Sequence, residues 1–554
     1  MNRREFSKYM AVAGLAPAAG RSAAPPLALP TPQQRDWQEM ELETFVHFGP
    51  LTWRPNESDR TLTPVSQMNP EKLDTEQWVD VAQSMGSKQV VFVAKHAAGF
   101  CWWQTDTTTY GVKQSPWRGG KGDVMQDLSA SCRKRGMKLG VYLSPADQFL
   151  QIRVAGRAAD EAAQQKYSAI YRQQLTELLT RYGEISELWC DGSLVFDVSD
   201  ILKRYVPKAM VFQSKSATIR WVGNEEGFAP DPNWNAVSAE AARSGVATAK
   251  DGDPNGAVWL PNEIDTRLRA GWFWSPTNEN TLKSLDELMG IYYRSVGHGA
   301  VLLMNQTPDR SGLIPEPDVR RTAEFGTEIR KRFAKPVAET SGKGQSVELS
   351  LKRPQRIDHV VTMEDIAQGQ RVREYRVDGL IGGEWRELVR GTSIGQKKID
   401  VVRPVEVSKI RWTAMAAAAP PVIRRLAVYD AGGQAGTAAA RTATPAYRTI
   451  KQWDTAGLPT EWTRWDIDLA PYCTEAGQYE VAFFTTGGNG GITIQSVTLV
   501  TAGVEAPEFV TPAPGRGRTY HLNLTGIEPD MKLRVVVRRR GDEAFGQIVL
   551  KSQQ

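Results

Sequence analysis

The stretch Ile185-Ser186-Glu187-Leu188-Trp189-Cys190-Asp191-Gly192 decides the fold. An apolar run of strand length ends on a carboxylate and then on a glycine. A buried parallel strand reads this way, because both of its faces are covered and its polar residues collect at the ends. Outward from it the pattern recurs, with runs at 44–48, 90–94, 139–143, 185–190, 210–213, 219–222 and 301–304. Helical spacing lies between them. Trp78, Val81, Ala82 and Met85 fall on one face, as do Leu175, Leu178, Leu179 and Tyr182, and, more loosely, Leu282, Leu285, Met289 and Tyr292. Strand–helix units repeated from about residue 40 to 333 predict an α/β fold, either a (β/α)8-like TIM barrel or a doubly wound sheet. His47, His96, Ser144, Asp191, Glu225, Glu263 and Asn305 follow the runs. In a barrel that end of the strands carries the chemistry.

The flanks read differently. Residues 337–430 lose the helical period and show short alternating runs, 346–351, 357–362 and 409–412, punctuated by turns such as Gly382-Gly383. This predicts a β-sandwich over 335–431. An Ala-, Gly- and Thr-rich linker occupies 432–447, and 448–554 reads as a second β-sandwich domain. At the other end, Arg3-Arg4-Glu5-Phe6 precedes a weakly apolar stretch, 9–19, then an Ala/Pro-rich segment to Pro32. Paired arginines before a modest apolar segment predict a twin-arginine-type signal and linker over 1–32, leaving the barrel to 33–334. The expected address is periplasmic or secreted. No second segment reaches membrane-spanning length, so no membrane association is expected after signal removal.

Composition narrows the chemistry. At 554 residues, 41% hydrophobic and 24% charged, the chain is globular and long enough for two to four domains. The net charge of +5 comes from interleaved Lys/Arg and Asp/Glu, so no basic stripe suggests nucleic acid. The run Arg538-Arg539-Arg540 reads as a solvated strand tip. Many of the 17 tryptophans sit beside polar residues, as aromatic platforms for sugar rings do, although tryptophan also fills large cores. The four cysteines, Cys101, Cys132, Cys190 and Cys473, form no disulfide framework. The five histidines form no HExxH or close pair, so neither a metal nor another cofactor is expected. A G-x-S-x-G elbow and a Gly-rich phosphate loop are both absent. No oligomeric state can be read from the sequence.

Carboxylates remain. Asp191 closes the fourth strand run, and Glu225 follows the sixth in Arg220-Trp221-Val222-Gly223-Asn224-Glu225. One barrel mouth can bring both across a pocket. Glycoside cleavage needs such a pair, one to attack the anomeric carbon and one to protonate the leaving oxygen, about 5–5.5 Å apart in a retaining enzyme. From spacing alone, a structural pairing of Asp191 with Arg220 is equally open.

The motifs go further. His47-Phe48-Gly49, Lys95-His96 with Gly99-Phe100-Cys101-Trp102, Tyr142-Leu143-Ser144 and Leu188-Trp189-Cys190-Asp191-Gly192 resemble glycoside hydrolase family 29, the α-L-fucosidases. So do Arg220 to Glu225, Trp259-Leu260-Pro261-Asn262-Glu263-Ile264-Asp265, Gly271-Trp272-Phe273-Trp274 and Leu302-Leu303-Met304-Asn305. The Arg-Trp-x-Gly-Asn-Glu stretch resembles the branch acting on α-1,3/1,4-linked fucose. The resemblance implies a retaining exo-α-L-glycosidase acting on an oligosaccharide or glycoconjugate. Asp191 matches the nucleophile and Glu225 the acid/base, with Glu226 and Glu263 as runners-up. His47 and His96 match sugar-binding histidines and Trp189 an aromatic on the sugar's apolar face. Arg220, Trp272, Trp102 and Tyr142 are further pocket candidates, and Glu263 with Asp265 is a candidate pair that orients the site. In these roles Asp191 must be ionised, helped by a nearby cation and backbone N–H groups. Glu225 must begin protonated, through burial or the charge of Asp191. The 337–430 domain resembles the discoidin-like sandwich often appended to this family, expected here to buttress the barrel.

One motif departs. The family's Lys-His-His-Asp-Gly-Phe stretch is here Lys95-His96-Ala97-Ala98-Gly99-Phe100, and its Glu-Trp pair has no clear match in Trp53-Arg54-Pro55-Asn56-Glu57. Losing a buried hydrogen-bonding group costs about 1–3 kcal/mol. A pocket for another α-L-sugar, such as L-galactose or L-glucose, or a non-catalytic binder on a degenerate barrel, are the alternative readings.

Overall fold

The computed structural model describes residues 26–55, 57, 59, 61–432, 448–455, 458–473, 476–488, 491–512, 518–541 and 544–552. Of the stretch 1–32 expected to be a signal and linker only 26–32 is described, and nearly all of the expected linker 432–447 lies outside the described residues.

Eight parallel strands form the N-terminal body: β1 Leu42–Val46, β2 Gln89–Lys95, β3 Lys138–Leu143, β4 Glu187–Trp189, β5 Met210–Phe212, β6 Arg220–Trp221, β7 Asn262–Arg267 and β8 Val301–Gln306. Their order is β5-β4-β3-β2-β1-β8-β7-β6, and a single bridge between Phe212 and Ile219 joins the two ends. This is a nearly closed barrel. The incomplete seam has a cause in the chain: β5 and β6 are joined by residues 213–219 alone, too few for a crossover helix, which takes about a dozen residues. The repeated strand–helix unit therefore fails there and again between β6 and β7, where residues 222–261 make a long excursion with a small hairpin, Ala236–Val237 against Val258–Trp259.

Elsewhere the helices are specified locally. One helix, Thr75–Met85, starts on Asp74, whose carboxylate accepts from Glu76 N at 2.9 Å, and stops at Gly86 with φ +102°. A second, Glu161–Arg181, starts on Asp160, which accepts from Ala163 N at 2.8 Å. A third, Leu285–Arg294, has the reciprocal Ser284/Glu287 capping box. Six of the runs read from sequence fall on strands to within three residues at either end, and the run 219–222 on the two-residue β6. The strand missed is β7, Asn-Glu-Ile-Asp-Thr-Arg, because its inward side chains are charged and no apolar run marks it.

Side chains alternate across a strand, so the interior of the barrel is built in layers. Strand β1 and the residue after it point Glu43, Phe45 and His47 inward. Strand β4 and its exit do the same with Glu187, Trp189 and Asp191, and β7 with Glu263 and Asp265. The middle layer is apolar, with Phe45, Val91, Tyr142, Trp189, Phe212 and Leu303 packed together. Carboxylates lie above and below it.

Residues 338–429 form one antiparallel six-stranded sheet, at whose centre the long strands Ser346–Glu364 and Lys398–Ala417 pair with each other. Val361, Met363, Ile399, Ala427 and Tyr429 pack with Leu288, Met289 and Tyr292 of the barrel. Tyr293 Oη lies 2.9 Å from His359 Nε2, and Lys397 Nζ meets Glu41 at 2.6 Å. Residues 448–552 form two further sheets, of five and four strands, around Val481, Ile492, Leu533, Val535 and Ile548. Among the described residues, no helix is long and apolar enough to cross a membrane.

Candidate active site

A cavity of about 150 Å³ opens at the C-terminal end of the barrel strands. His47, His96, Tyr142, Trp189, Asp191, Glu225 and Trp272 line it, together with Phe45, Phe212, Gln213, Trp221 and Asp265. Seven of the ten residues singled out from sequence as site residues are thus brought together. The two carboxylates expected to carry the chemistry share one pocket.

Asp191 sits in a turn fixed by its neighbours. Cys190 N donates to Phe212 O at 3.0 Å, Gly192 N donates to Gln213 Oε1 at 2.6 Å, and Gly192 takes φ +78°. The Asp191 carboxylate reaches the solvent of the pocket mouth but is enclosed by aromatic rings. Desolvation there raises its pKa, Tyr142 Oη, donating at 3.0 Å, opposes the rise, and the charge of Glu225 adds to it. The stabilising donor is thus a phenol, where a cation and backbone N–H groups were expected.

Glu225 also differs from expectation. Its side chain is 44% exposed, where burial was one of the expectations. Trp272 Nε1 donates to its Oε2 at 3.1 Å, and Arg267 lies 3.9 Å from the same oxygen. The buried acid of the pocket is Asp265. Desolvation and the nearby Glu225 push its pKa up to about 8, against the hydrogen bond from Trp221 Nε1 at 2.7 Å. The pocket therefore holds three carboxyl groups in different environments, the arrangement that separates acid from base.

His47 is buried, and its pKa falls well below the usual histidine value through desolvation and then the proximity of His96. Its tautomer is set by a chain of contacts. Asn305 Nδ2 donates to Trp272 O at 2.8 Å, which turns Asn305 Oδ1 toward His47 Nδ1, also at 2.8 Å. Nδ1 must then donate, and Nε2 is left as a hydrogen-bond acceptor. His96 stacks on Tyr142 with ring centroids 5.6 Å apart. Trp189 lies against Phe212 at 3.6 Å and donates Nε1 to Glu263 at 2.8 Å.

Three residues expected in the pocket lie elsewhere. Arg220 points the other way, because Ile219 and Trp221 take the inward positions on β6. Its guanidinium donates to the carbonyls of Trp234, Asn235 and Leu260 and closes the 222–261 excursion. It does not pair with Asp191. Trp102 is 1% exposed, stacks on Phe48 and donates to Phe48 O at 2.7 Å, so it packs behind the wall that carries His47. Glu263 lies one inward position below Asp265, under Trp189. The runner-up Glu226 bridges to Thr266 and does not line the cavity.

Sequence reasoning gave Asp265 only a secondary place and missed Trp221 and Arg267. The signal was the period-2 alternation of Glu263, Asp265 and Arg267, which marks one face of a strand. From the loop after β1, Glu57 reaches Phe273 N with its carboxylate, which tethers that loop to the segment carrying Trp272.

A parallel barrel with opposed carboxyl groups and an aromatic, histidine-lined cavity at its catalytic end defines a glycoside hydrolase. The family model described as "Alpha-L-fucosidase" matches residues 32–331, and the chain belongs to that family. Alpha-L-fucosidase 1 of Arabidopsis thaliana is 31% identical over 73% of this chain and 88% of its own length. A glycoside hydrolase 29 family member from an unknown rumen bacterium is 27% identical, with a TM-score of 0.68 over 96% of this chain and 97% of its own. A Ruminococcus gnavus GH29 fucosidase in complex with fucose is 26% identical, with a TM-score of 0.64 over 74% of this chain and 97% of its own.

Proposed function

We propose that this enzyme removes terminal α-L-fucose or a closely related α-L-sugar from a glycan by double displacement with retention. Asp191 is the nucleophile and Glu225 the acid/base. The observation that carries this reading is that both carboxylates line one small aromatic cavity. Asp191 attacks the anomeric carbon while Glu225 gives its proton to the departing oxygen. Glu225 then takes a proton from water to release the sugar. The exposure of Glu225 gives it access to both aglycone and water. His47 Nε2 and Trp189 supply a hydrogen-bond acceptor and an apolar face for the sugar. Export through the twin-arginine-type segment at 1–32 belongs to the same proposal, as does a preference for α-1,3/1,4-linked branches.

The acid limb of kcat/KM tests the role of Asp191. A carboxyl whose folded pKa is raised stays protonated to higher pH, and only its anion attacks. Activity is therefore lost as pH falls through a value above the ordinary aspartate pKa of about 3.9. Tyr142→Phe removes the donor that favours the anion and moves this limb further up. A hydrogen bond to a charged group is worth about 1.5–3 kcal/mol, so the shift is roughly one to two pH units. A limb that stays in place in Tyr142→Phe contradicts the assignment.

A second reading, a different α-L-sugar, rests on a specific feature. Ala97 and Ala98 line a small neighbouring cavity with Asp59, Thr61, His96 and Gln148, and His96 is shared with the main pocket. Extra room there suits a substituent larger than the methyl group of fucose. A panel of aryl α-L-fucoside, α-L-galactoside and α-L-glucoside substrates separates the readings. A higher kcat/KM on either alternative sugar supports the enlarged pocket, and a clear preference for the fucoside removes it.

A further inference from the structure

Below the sugar pocket, Glu43 of β1, Glu187 of β4 and Glu263 of β7 bring carboxylate oxygens within 4.8 Å of one another, and all three residues are 0% exposed. The mechanism does not use them as acid, base or nucleophile. Each has one oxygen engaged by an N–H group. Gln89 Nε2 donates to Glu43 Oε1 at 3.1 Å and to Glu187 Oε2 at 2.8 Å. Trp37 Nε1 donates to Glu187 Oε2 at 3.0 Å, and Trp189 Nε1 to Glu263 Oε2 at 2.8 Å. The other oxygen of each, Glu43 Oε2, Glu187 Oε1 and Glu263 Oε1, is buried and accepts from no N–H or hydroxyl group, and the Glu263 carboxyl lies within hydrogen-bonding reach of those of Glu43 and Glu187. Three acidic groups that converge in a dry core must share either protons or a cation.

We propose that this cluster is a binding site for a hard divalent cation of the Ca²⁺ or Mg²⁺ class. The donor set is all oxygen, as such ions require. The spacing is compatible as well: oxygens bound to one ion at about 2.4 Å lie no more than about 4.8 Å apart, and the three carboxylates stay within that limit. Gln89 is a candidate fourth ligand. Its Oε1 accepts from Ser186 Oγ, and turning the amide over presents Oε1 to the carboxylates and Nε2 to the hydroxyl. Open space lies one side chain away from the cluster. A cavity of about 600 Å³ at the opposite end of the barrel is lined by Trp37, Gln89 and Ser186, and the first two contact Glu187 directly. The cation would stiffen the floor of the sugar pocket through the bond from Glu263 to Trp189. A sequence search for histidine and cysteine motifs has no access to this site, since its three ligands come from three strands.

The indoles of Trp37 and Trp189 bond directly to the cluster, so they can sensitise a bound lanthanide. The purified full chain is stripped with a chelator, titrated with Tb³⁺ under tryptophan excitation, and competed with Ca²⁺ and Mg²⁺. Sensitised emission that competes with Ca²⁺ or Mg²⁺, is lost in Glu187→Gln and is weakened in Trp37→Phe, which leaves Trp189 as the second sensitiser, supports the site. Metal analysis of the untreated protein should then find about one equivalent per chain. Emission that neither substitution diminishes places the ion on the outer surface and overturns the proposal. So does the absence of emission in the folded wild-type protein, which assigns the missing positive charge to protons shared among the three carboxyls. If Glu187→Gln does not fold, Trp37→Phe decides, since it removes an indole and leaves every oxygen ligand.

Discussion

Asp191→Gly lowers kcat by about 10⁴-fold or more, equivalent to roughly 5.5 kcal/mol of lost transition-state stabilisation. The covalent route disappears with the carboxylate, and what remains is the contribution of binding and of Glu225. Glycine also leaves room where the carboxylate stood, on the face from which it attacks. Azide entering there bonds to the anomeric carbon, so an activated aryl α-L-glycoside yields the β-glycosyl azide. The checks are kcat on the aryl glycoside with and without azide, and the anomeric configuration of the azide by NMR. Undiminished turnover in Asp191→Gly excludes it as nucleophile. The substitution should leave the fold intact, because the Asp191 carboxylate accepts from a phenol at the pocket wall and the adjoining Gly192 already carries the left-handed turn.

Glu225→Gln lowers kcat by about 10²–10⁴-fold on a glycan, whose departing oxygen needs a proton. On an aryl glycoside with an acidic phenol the first step needs little protonation, so the loss there is far smaller. The glutamine keeps the shape and can still accept from Trp272 Nε1, so a folding defect is not expected to confuse the comparison. Equal losses on both substrates assign Glu225 to binding and move the acid role to Asp265, whose raised pKa leaves it protonated at neutral pH.

Most of the barrel was legible because burial writes itself into the sequence. Strands β1 to β5 and β8 are covered on both faces, and six of the seven apolar runs result from that. Strand β7 was illegible for the same reason inverted: its inward positions hold Glu263, Asp265 and Arg267, so the core-facing side of the strand reads as polar. Arg220 and Trp102 were placed in the pocket by motif proximity, but position along a chain does not say which way a side chain points. Arg220 is one residue from Ile219 and from Trp221, and that single step turns it to the opposite face.

The sequence by itself determined the barrel, the two carboxylates and the all-β character of the C-terminal region, because hydrophobic periodicity and ordered motifs are local properties. Only the tertiary structure decided which carboxyl groups meet and in what state. Asp191, Glu225 and Asp265 come from three strand ends and fall into three environments, one ringed by aromatics, one open to water and one sealed under Trp221. Glu43, Glu187 and Glu263 lie far apart in the chain and touch in the core. Charge interactions and desolvation depend on distance through space, and distance through space is set by barrel closure, which no local pattern encodes.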